Sequence, residues 1–280
     1  MKKAIDIARR AYEKPDGVSG ITTGLRDLDQ QIGGLHQSDL VILAARPGMG
    51  KTALATHIAA AAAAQGPVLF FSLEMGGEQL AQRVLSEQSG IDGHALRTGK
   101  LSNDDFGRLV AALTGTTSLK LVVDDTPSLT VPAIRTRARR VSRKQGLSLI
   151  VIDYVQLIEC PSKDGNRVQE LTKITRGLKA IAKELNVPVI ALSQLNRGVE
   201  NREDRRPRLA DLRDSGSIEQ DADVVMFLYR EEYYARQDCD PSIKGVAEID
   251  IAKQRHGPIG TVNVFFDPAH TAFADLARER

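Results

Sequence analysis

Six apolar residues, Leu40-Val41-Ile42-Leu43-Ala44-Ala45, run straight into Arg46-Pro47-Gly48-Met49-Gly50, and Lys51-Thr52 then open the helix-forming run Ala53-Leu54-Ala55-Thr56-His57-Ile58. A buried strand, a glycine turn and a helix start in so short a span leave few architectures open. The strand must lie in a parallel or mixed sheet, with the helix crossing back over one face. Gly48 and Gly50 allow close backbone approach, and the N–H groups of the turn and the positive end of the helix then cradle phosphate oxygens. In such a loop Lys51 reaches the outer phosphates and the Thr52 hydroxyl ligates a magnesium ion. Ala45 stands where the strict pattern has glycine, but the two close-approach glycines remain. The nucleotide-binding candidates are therefore Arg46, Pro47, Gly48, Met49, Gly50, Lys51, Thr52 and Ala53. The strand before and the helix after set this loop apart from a chance Gly-rich turn.

Further apolar runs at 68–72, 120–124, 148–153 and 187–193 alternate with helical segments, the pattern of an α/β fold with a mostly parallel central sheet flanked by helices. Runs at 224–229, 246–252 and 261–266 follow more closely, with Gly257, Pro258 and Gly260 as turn signals, and predict additional C-terminal strands, some antiparallel. Residues 3–13 place Ile5, Ala8 and Tyr12 at helical spacing, and Pro15, Gly17 and Gly20 then break the pattern. Two readings fit, an amphipathic helix on a tether or a frayed terminus. The expected division is an appendage at 1–19 and one main domain at 20–280. The charged stretch Asn196 to Arg208 predicts a mobile loop.

A net charge of +2 means that nucleic-acid binding must come from local clusters and not from a global positive field. Arg135, Arg137, Arg139, Arg140, Arg143 and Lys144 spread around much of a helix, which reads as a solvated face. Cys160 and Cys239 are far apart, and the five histidines form no metal-ligand spacing with them, so a reducing cytoplasmic setting is expected. No apolar run reaches the roughly 18 residues that a membrane span needs.

Leu149-Ile150-Val151-Ile152-Asp153 brings a carboxylate to the sheet edge where the loop lies. Alone it is a strand terminator; with Lys51 and Thr52 it is the magnesium-side aspartate. Tyr154 follows where a general base often stands, so the base must lie elsewhere. Glu74, after the strand Val68-Leu69-Phe70-Phe71, is the candidate to orient an attacking water; the other reading is a carboxylate favouring a helix N-terminus. Gln194 ends the run Val189 to Ser193 and either senses the γ-phosphate or satisfies a strand end.

Seven segments in order carry a family resemblance: Gly20-Ile21-Thr22-Thr23-Gly24 with Leu28-Asp29, residues 45–52, Phe71-Ser72-Leu73-Glu74-Met75, Ile152 to Ile158, Leu192 to Arg197, Asp211 to Asp223, and Ala252-Lys253-Gln254-Arg255-His256-Gly257-Pro258. In these the chain resembles the C-terminal motor domain of replicative DNA helicases of the DnaB type, with a RecA-like P-loop NTPase core. The resemblance implies a homo-hexameric ring with ATP and Mg²⁺ between neighbours and single-stranded DNA through the centre. It makes Glu74 the catalytic glutamate, Asp153 the magnesium aspartate and Gln194 the phosphate sensor, and it places Arg83 near the nucleotide. Lys253 and Arg255, two apart on a strand, share a face. By pattern they are a solvated strand end; by resemblance Arg255 is an arginine finger with Lys253 beside it, serving the adjacent subunit.

Arg213, Asp214 and Gly216 match the family's DNA-backbone loop, a stretch that otherwise reads as a Ser/Gly turn before Val224. Relatives carry an N-terminal collar that helps recruit primase, whereas this chain starts at what resembles the linker helix, which in the family packs on the neighbouring subunit. A helicase loader and primase are the protein partners implied. The function expected is an ATP-dependent replicative DNA helicase motor. The alternatives are a RecA-like recombinase and a non-unwinding, ATP-dependent assembly switch or loader-like partner.

Overall fold

Leucine- and β-branched-rich runs without polar residues form strands that are buried on both faces and therefore need helices on both sides. The computed structural model describes residues 18–160, 166–215 (213–215 as backbone only), 218–235 and 240–277. Its strands are β1 (Leu40–Ala45), β2 (Val68–Ser72), β3 (Leu121–Asp124), β4 (Leu149–Asp153), β5 (Val189–Gln194), β6 (Val224–Tyr229), β7 (Val246–Gln254), β8 (Gly260–Asp267) and β9 (Ala272–Asp275). They form one sheet in the order β3-β2-β4-β5-β1-β6-β7-β8-β9. The first six in that order are parallel, and β7, β8 and β9 add on antiparallel.

The helices are α1 (Arg26–Ile32), α2 (Lys51–Gln65), α3 (Gly77–Ser89), α4 (Gly93–Thr98), α5 (Asn103–Thr116), α6 (Val131–Gln145), α7 (Arg167–Leu185), α8 (Ile218–Asp221) and α9 (Glu231–Ala235). On one face of the sheet Val41, Leu43 and Ala45 pack with Leu54 and Ile58 of α2. The alanines of α2 are buried there, and their small side chains let its backbone lie close to the strands. On the other face Leu40, Ile42 and Ala44 pack with Ile134 of α6 and Ile174, Leu178 and Ile181 of α7. No described helix is long and apolar enough to cross a membrane.

The expected α/β architecture is present, with strand ends shifted by at most two residues. β9 was not foreseen, because its four residues bury only Phe273 and show no alternation to read. The stretch expected to be a mobile loop is instead pinned. It holds a 3-10 turn at Arg197–Asn201 with Val199 buried, and Arg206 donates to Glu248 and Glu231. Charge there is paired and not merely solvated. The basic run on α6 is likewise partly committed, since Arg135 and Arg139 bond Glu184 and Arg137 bonds Asp124.

Beneath the amino ends of β1 and β6, Lys179 of α7 donates to Ser38 O at 2.7 Å and to the Asp223 carboxylate, with Asp39 Oδ1 4.0 Å away. Asp39 and Asp223 are both buried. Burial first, and then the Asp223 charge, raise the Asp39 pKa. Lys179→Met should therefore destabilise the fold by about 3–5 kcal/mol, because buried Asp39 loses its ion-pair partner and buried Asp223 is left with only the half-exposed Arg255 guanidinium, 3.4 Å away. The sign with pH follows from the raised pKa: protonating Asp39 removes one of the uncompensated charges, so the deficit should shrink as pH falls. Urea unfolding at neutral and mildly acidic pH measures both effects.

Candidate active site

The neighbours β2, β4, β5 and β1 are parallel, so their carboxyl ends open side by side along one sheet edge. Ligands in open α/β sheets bind at that edge. There β1 delivers the loop 46–50 and the start of α2, β2 delivers Glu74, β4 delivers Asp153 and β5 delivers Gln194. The loop depends on Gly48 and Gly50, with φ of 83° and 98°. A Cβ on Gly48 would also lie 2.9 Å from the Tyr233 ring.

Lys51, Thr52, Glu74, Arg83 and Gln194 line one cavity of about 400 Å³, together with the loop residues Arg46, Pro47, Gly48, Gly50 and Ala53. Buried Asp153 contacts two of these residues: Oδ2 accepts the Thr52 hydroxyl at 2.7 Å, and Oδ1 stands 3.8 Å from Lys51 Nζ. Asp153 Oδ1 is buried without a hydrogen-bond partner. Burial lowers the Lys51 pKa, and Asp153 and then Glu74 act against it. Burial likewise lowers that of Arg83, opposed by the same two carboxylates. Glu74 is thus within electrostatic reach of both cations. The Tyr154 ring lies under Lys51, 4.5 Å from Nζ to the centroid, and fills the space after Asp153 with a cation–π contact instead of a base.

Glu74 sits in the turn after β2, where Leu73 N donates to Asp153 O at 2.8 Å and the Ser72 hydroxyl to Met75 O at 2.6 Å. α3 starts only at Gly77, with Glu78 as the acid of its first turn. A helix-start role for Glu74 is therefore set aside. Gln156 holds the Gln194 backbone from both sides, its amide donating to Gln194 O at 3.1 Å and accepting from Gln194 N at 3.3 Å. The Gln194 side chain is left exposed toward the cavity. Met49 is buried in the core, so only its backbone serves the loop.

Lys253 and Arg255 come together, but at the opposite edge. β6 runs parallel to β1 and β7 returns antiparallel, so Gln254 pairs with Val224 at the amino end of β6. Lys253 Nζ donates to Glu219 O at 2.6 Å and Ala222 O at 2.7 Å, and Arg255 Nη2 donates to Gln220 O at 2.9 Å. Both cations thus rest on carbonyls of α8 and of Ala222 just after it, about 20 Å along the strands from the phosphate loop of the same chain. Arg213 and Asp214 belong to the 3-10 turn Leu209–Ser215, and Gly216 lies outside the described residues.

Among the lining residues, Arg230 and Phe266 went unread in the sequence. Arg230 follows β6 at the same edge and stacks on Phe266, 4.3 Å from guanidinium to ring centroid. It is buried, and its Nε has no hydrogen-bond partner. Arg230 ends an apolar strand just as Asp153 and Gln194 do, a signal that could have placed it here.

The DnaB-like helicase C terminal domain family matches residues 20–275. The chain belongs to that family. A replicative DNA helicase DnaB of Rickettsia bellii (strain RML369-C) is 48% identical over 99% of this chain and 61% of its own length. The chain thus spans about three fifths of that curated DnaB relative. One solved ATPase domain superposes with a TM-score of 0.92 at 34% identity, covering 99% of this chain and 98% of that one. A DnaB-like replicative helicase described with its interactions with primase gives 0.90 at 36% identity, covering 99% of this chain and 67% of that one. As a DnaB-like helicase C-terminal domain, the chain has a RecA-like, nucleotide-binding core.

Proposed function

We propose that this chain is the ATP-hydrolysing motor of a replicative DNA helicase, a six-membered ring that translocates on single-stranded DNA. The observation that carries this is the separation of Lys51, Thr52, Glu74, Asp153 and Gln194 at one sheet edge from Lys253 and Arg255 at the other. A subunit cannot bring Arg255 to its own phosphate loop, but one edge can face the other across an interface between copies. Head-to-tail contacts of this kind form a ring when the rotation between copies closes.

Within the site, Lys51 and the loop N–H groups hold the β- and γ-phosphates. Glu74 takes a proton from a water and aims its oxygen at the γ-phosphorus; a new O–P bond forms as the bridging O–P bond to ADP breaks. Arg255 of the neighbouring copy neutralises charge gathering on the transferred group. The bare, buried Asp153 Oδ1 and the adjacent Thr52 hydroxyl fit a magnesium ion, which these two residues would hold. When bound, the ion supplies charge neutralisation at the phosphate oxygens. The Gln194 side chain faces the γ-phosphate position and reports its presence. Arg230 and Phe266 form a flat, cationic wall suited to the base and ribose.

Arg213, Asp214 and Gly216 form the DNA-backbone contact. ATP turnover measured with and without single-stranded DNA, alongside the mass of the assembly, tests the motor reading; a DNA-insensitive monomer would sink it. Arg213→Ala should weaken DNA binding for all sequences and reduce the slope of log affinity against log salt by about 0.7, one phosphate contact on a single strand. An unchanged slope would remove that residue from the DNA face.

The α5 helix, closed at its start by a Ser102–Asp105 capping box, exposes Phe106, Val110 and Leu113 on one face. This stripe suits the N-terminal segment of a neighbouring subunit, whose apolar Ile5, Ala8 and Tyr12 lie outside the described residues. Val110→Glu should leave the subunit folded and lower the assembly mass in light scattering. An intact ring would move that contact elsewhere. Primase and a helicase loader are the further partners this reading supplies.

A further inference from the structure

The charged residues after β5 form pairs that lead away from the phosphate loop. The Arg46 guanidinium, 8% exposed, donates through Nη1 to Leu195 O at 2.7 Å, and through Nη2 and Nε to Glu200 Oε1 at 2.7 and 3.0 Å. Glu200 belongs to the 3-10 turn Arg197–Asn201, and Arg202 closes that turn by donating its N–H to Val199 O. Arg202 Nη2 then donates to Asp211 Oδ2 at 2.8 Å, and the same oxygen accepts the Arg208 N–H at 2.7 Å. Asp211 sits on the 3-10 turn that carries Arg213 and Asp214. Two charge-assisted links, joined by one short turn, therefore span from the phosphate loop to the segment assigned to DNA.

We propose that Arg46–Glu200 and Arg202–Asp211 act as a two-link coupling that transmits the nucleotide state of the phosphate loop to the turn at 209–215, with Glu200 and Asp211 as positioning residues. The proposal rests on the reading of that loop as a nucleotide site and of that turn as the DNA face. Binding of the γ-phosphate draws in the loop backbone, and Arg46 carries the displacement to Glu200. Neither Glu200 nor Asp211 lines the nucleotide cavity, so breaking either link should sever transmission and leave the site intact.

The test is amide hydrogen exchange of the chain with and without a slowly hydrolysed ATP analogue and magnesium, read at 45–53 and at 209–215. In the unmodified chain the analogue should slow both segments. In Glu200→Ala, and independently in Asp211→Asn, it should slow 45–53 alone. The ratio of DNA-stimulated to basal ATP turnover should fall on the order of fivefold or more, the scale of a typical coupling between sites, with basal KM kept. Slowing of 209–215 that persists in both variants overturns the coupling, as does no response there in the unmodified chain. No slowing at 45–53 in the unmodified chain would instead sink the nucleotide reading, and the coupling with it. Asp211→Asn keeps an acceptor for the Arg208 N–H, so it remains informative if Glu200→Ala does not fold.

Discussion

Glu74→Gln should bind ATP as well as the unmodified chain and turn it over at least about a hundredfold more slowly, the usual contribution of a positioned general base. The substitution keeps the side-chain volume and one acceptor oxygen but removes the ability to take a proton. It also removes a negative charge that acts on Lys51 and Arg83. Both cations then face the triphosphate with less competition, so nucleotide affinity should hold or rise. Glu74 is exposed to the cavity, so folding stability should not change. Direct nucleotide titration together with steady-state turnover separates the two effects. Equal turnover would remove Glu74 from the chemistry, and a joint loss of binding and turnover would make it a structural residue of the β2–α3 turn.

The parts of this site that a sequence shows are those in which one strand or one turn determines the placement. The loop from Arg46 to Thr52 is legible because strand, glycines and helix are contiguous. Asp153 and Gln194 are legible because an apolar strand ends on each. Glu74 required knowing that β2 and β4 are neighbours, which the alternation of strands and helices implies but does not order. Arg230 escaped, although it too ends an apolar strand, because its partner Phe266 lies on a later antiparallel strand. The pinning of 196–208 escaped for a similar reason: its charges read as solvated until Glu231, Glu248 and Arg46 are brought in from distant positions. Sequence shows a charge; only the fold shows what neutralises it.

The placement of Arg255 leads to the other large effect. Arg255→Ala should cut ATP turnover on the order of a thousandfold or more, the range for an arginine finger, with nucleotide affinity of the same subunit little changed. Arg255 is half exposed and bonded to Gln220 O and Asp223, so the fold should tolerate its loss. Lysine should not restore turnover, because it lacks the planar fork that pairs with phosphate oxygens. What makes the prediction specific is that Arg255 and Glu74 serve the same reaction from different chains. Rings assembled from a mixture of Glu74→Gln and Arg255→Ala subunits should regain activity that neither variant has alone, since some interfaces then join an intact Glu74 to an intact Arg255. Arg255→Ala subunits titrated into unmodified rings should depress turnover at least in proportion, because each disables one neighbour's site while its own site keeps Glu74 and receives Arg255 from the next copy. No activity regained in the mixed variants would mean that Arg255 acts within its own subunit, which the roughly 20 Å along the strands between the two sheet edges does not allow without refolding of β7.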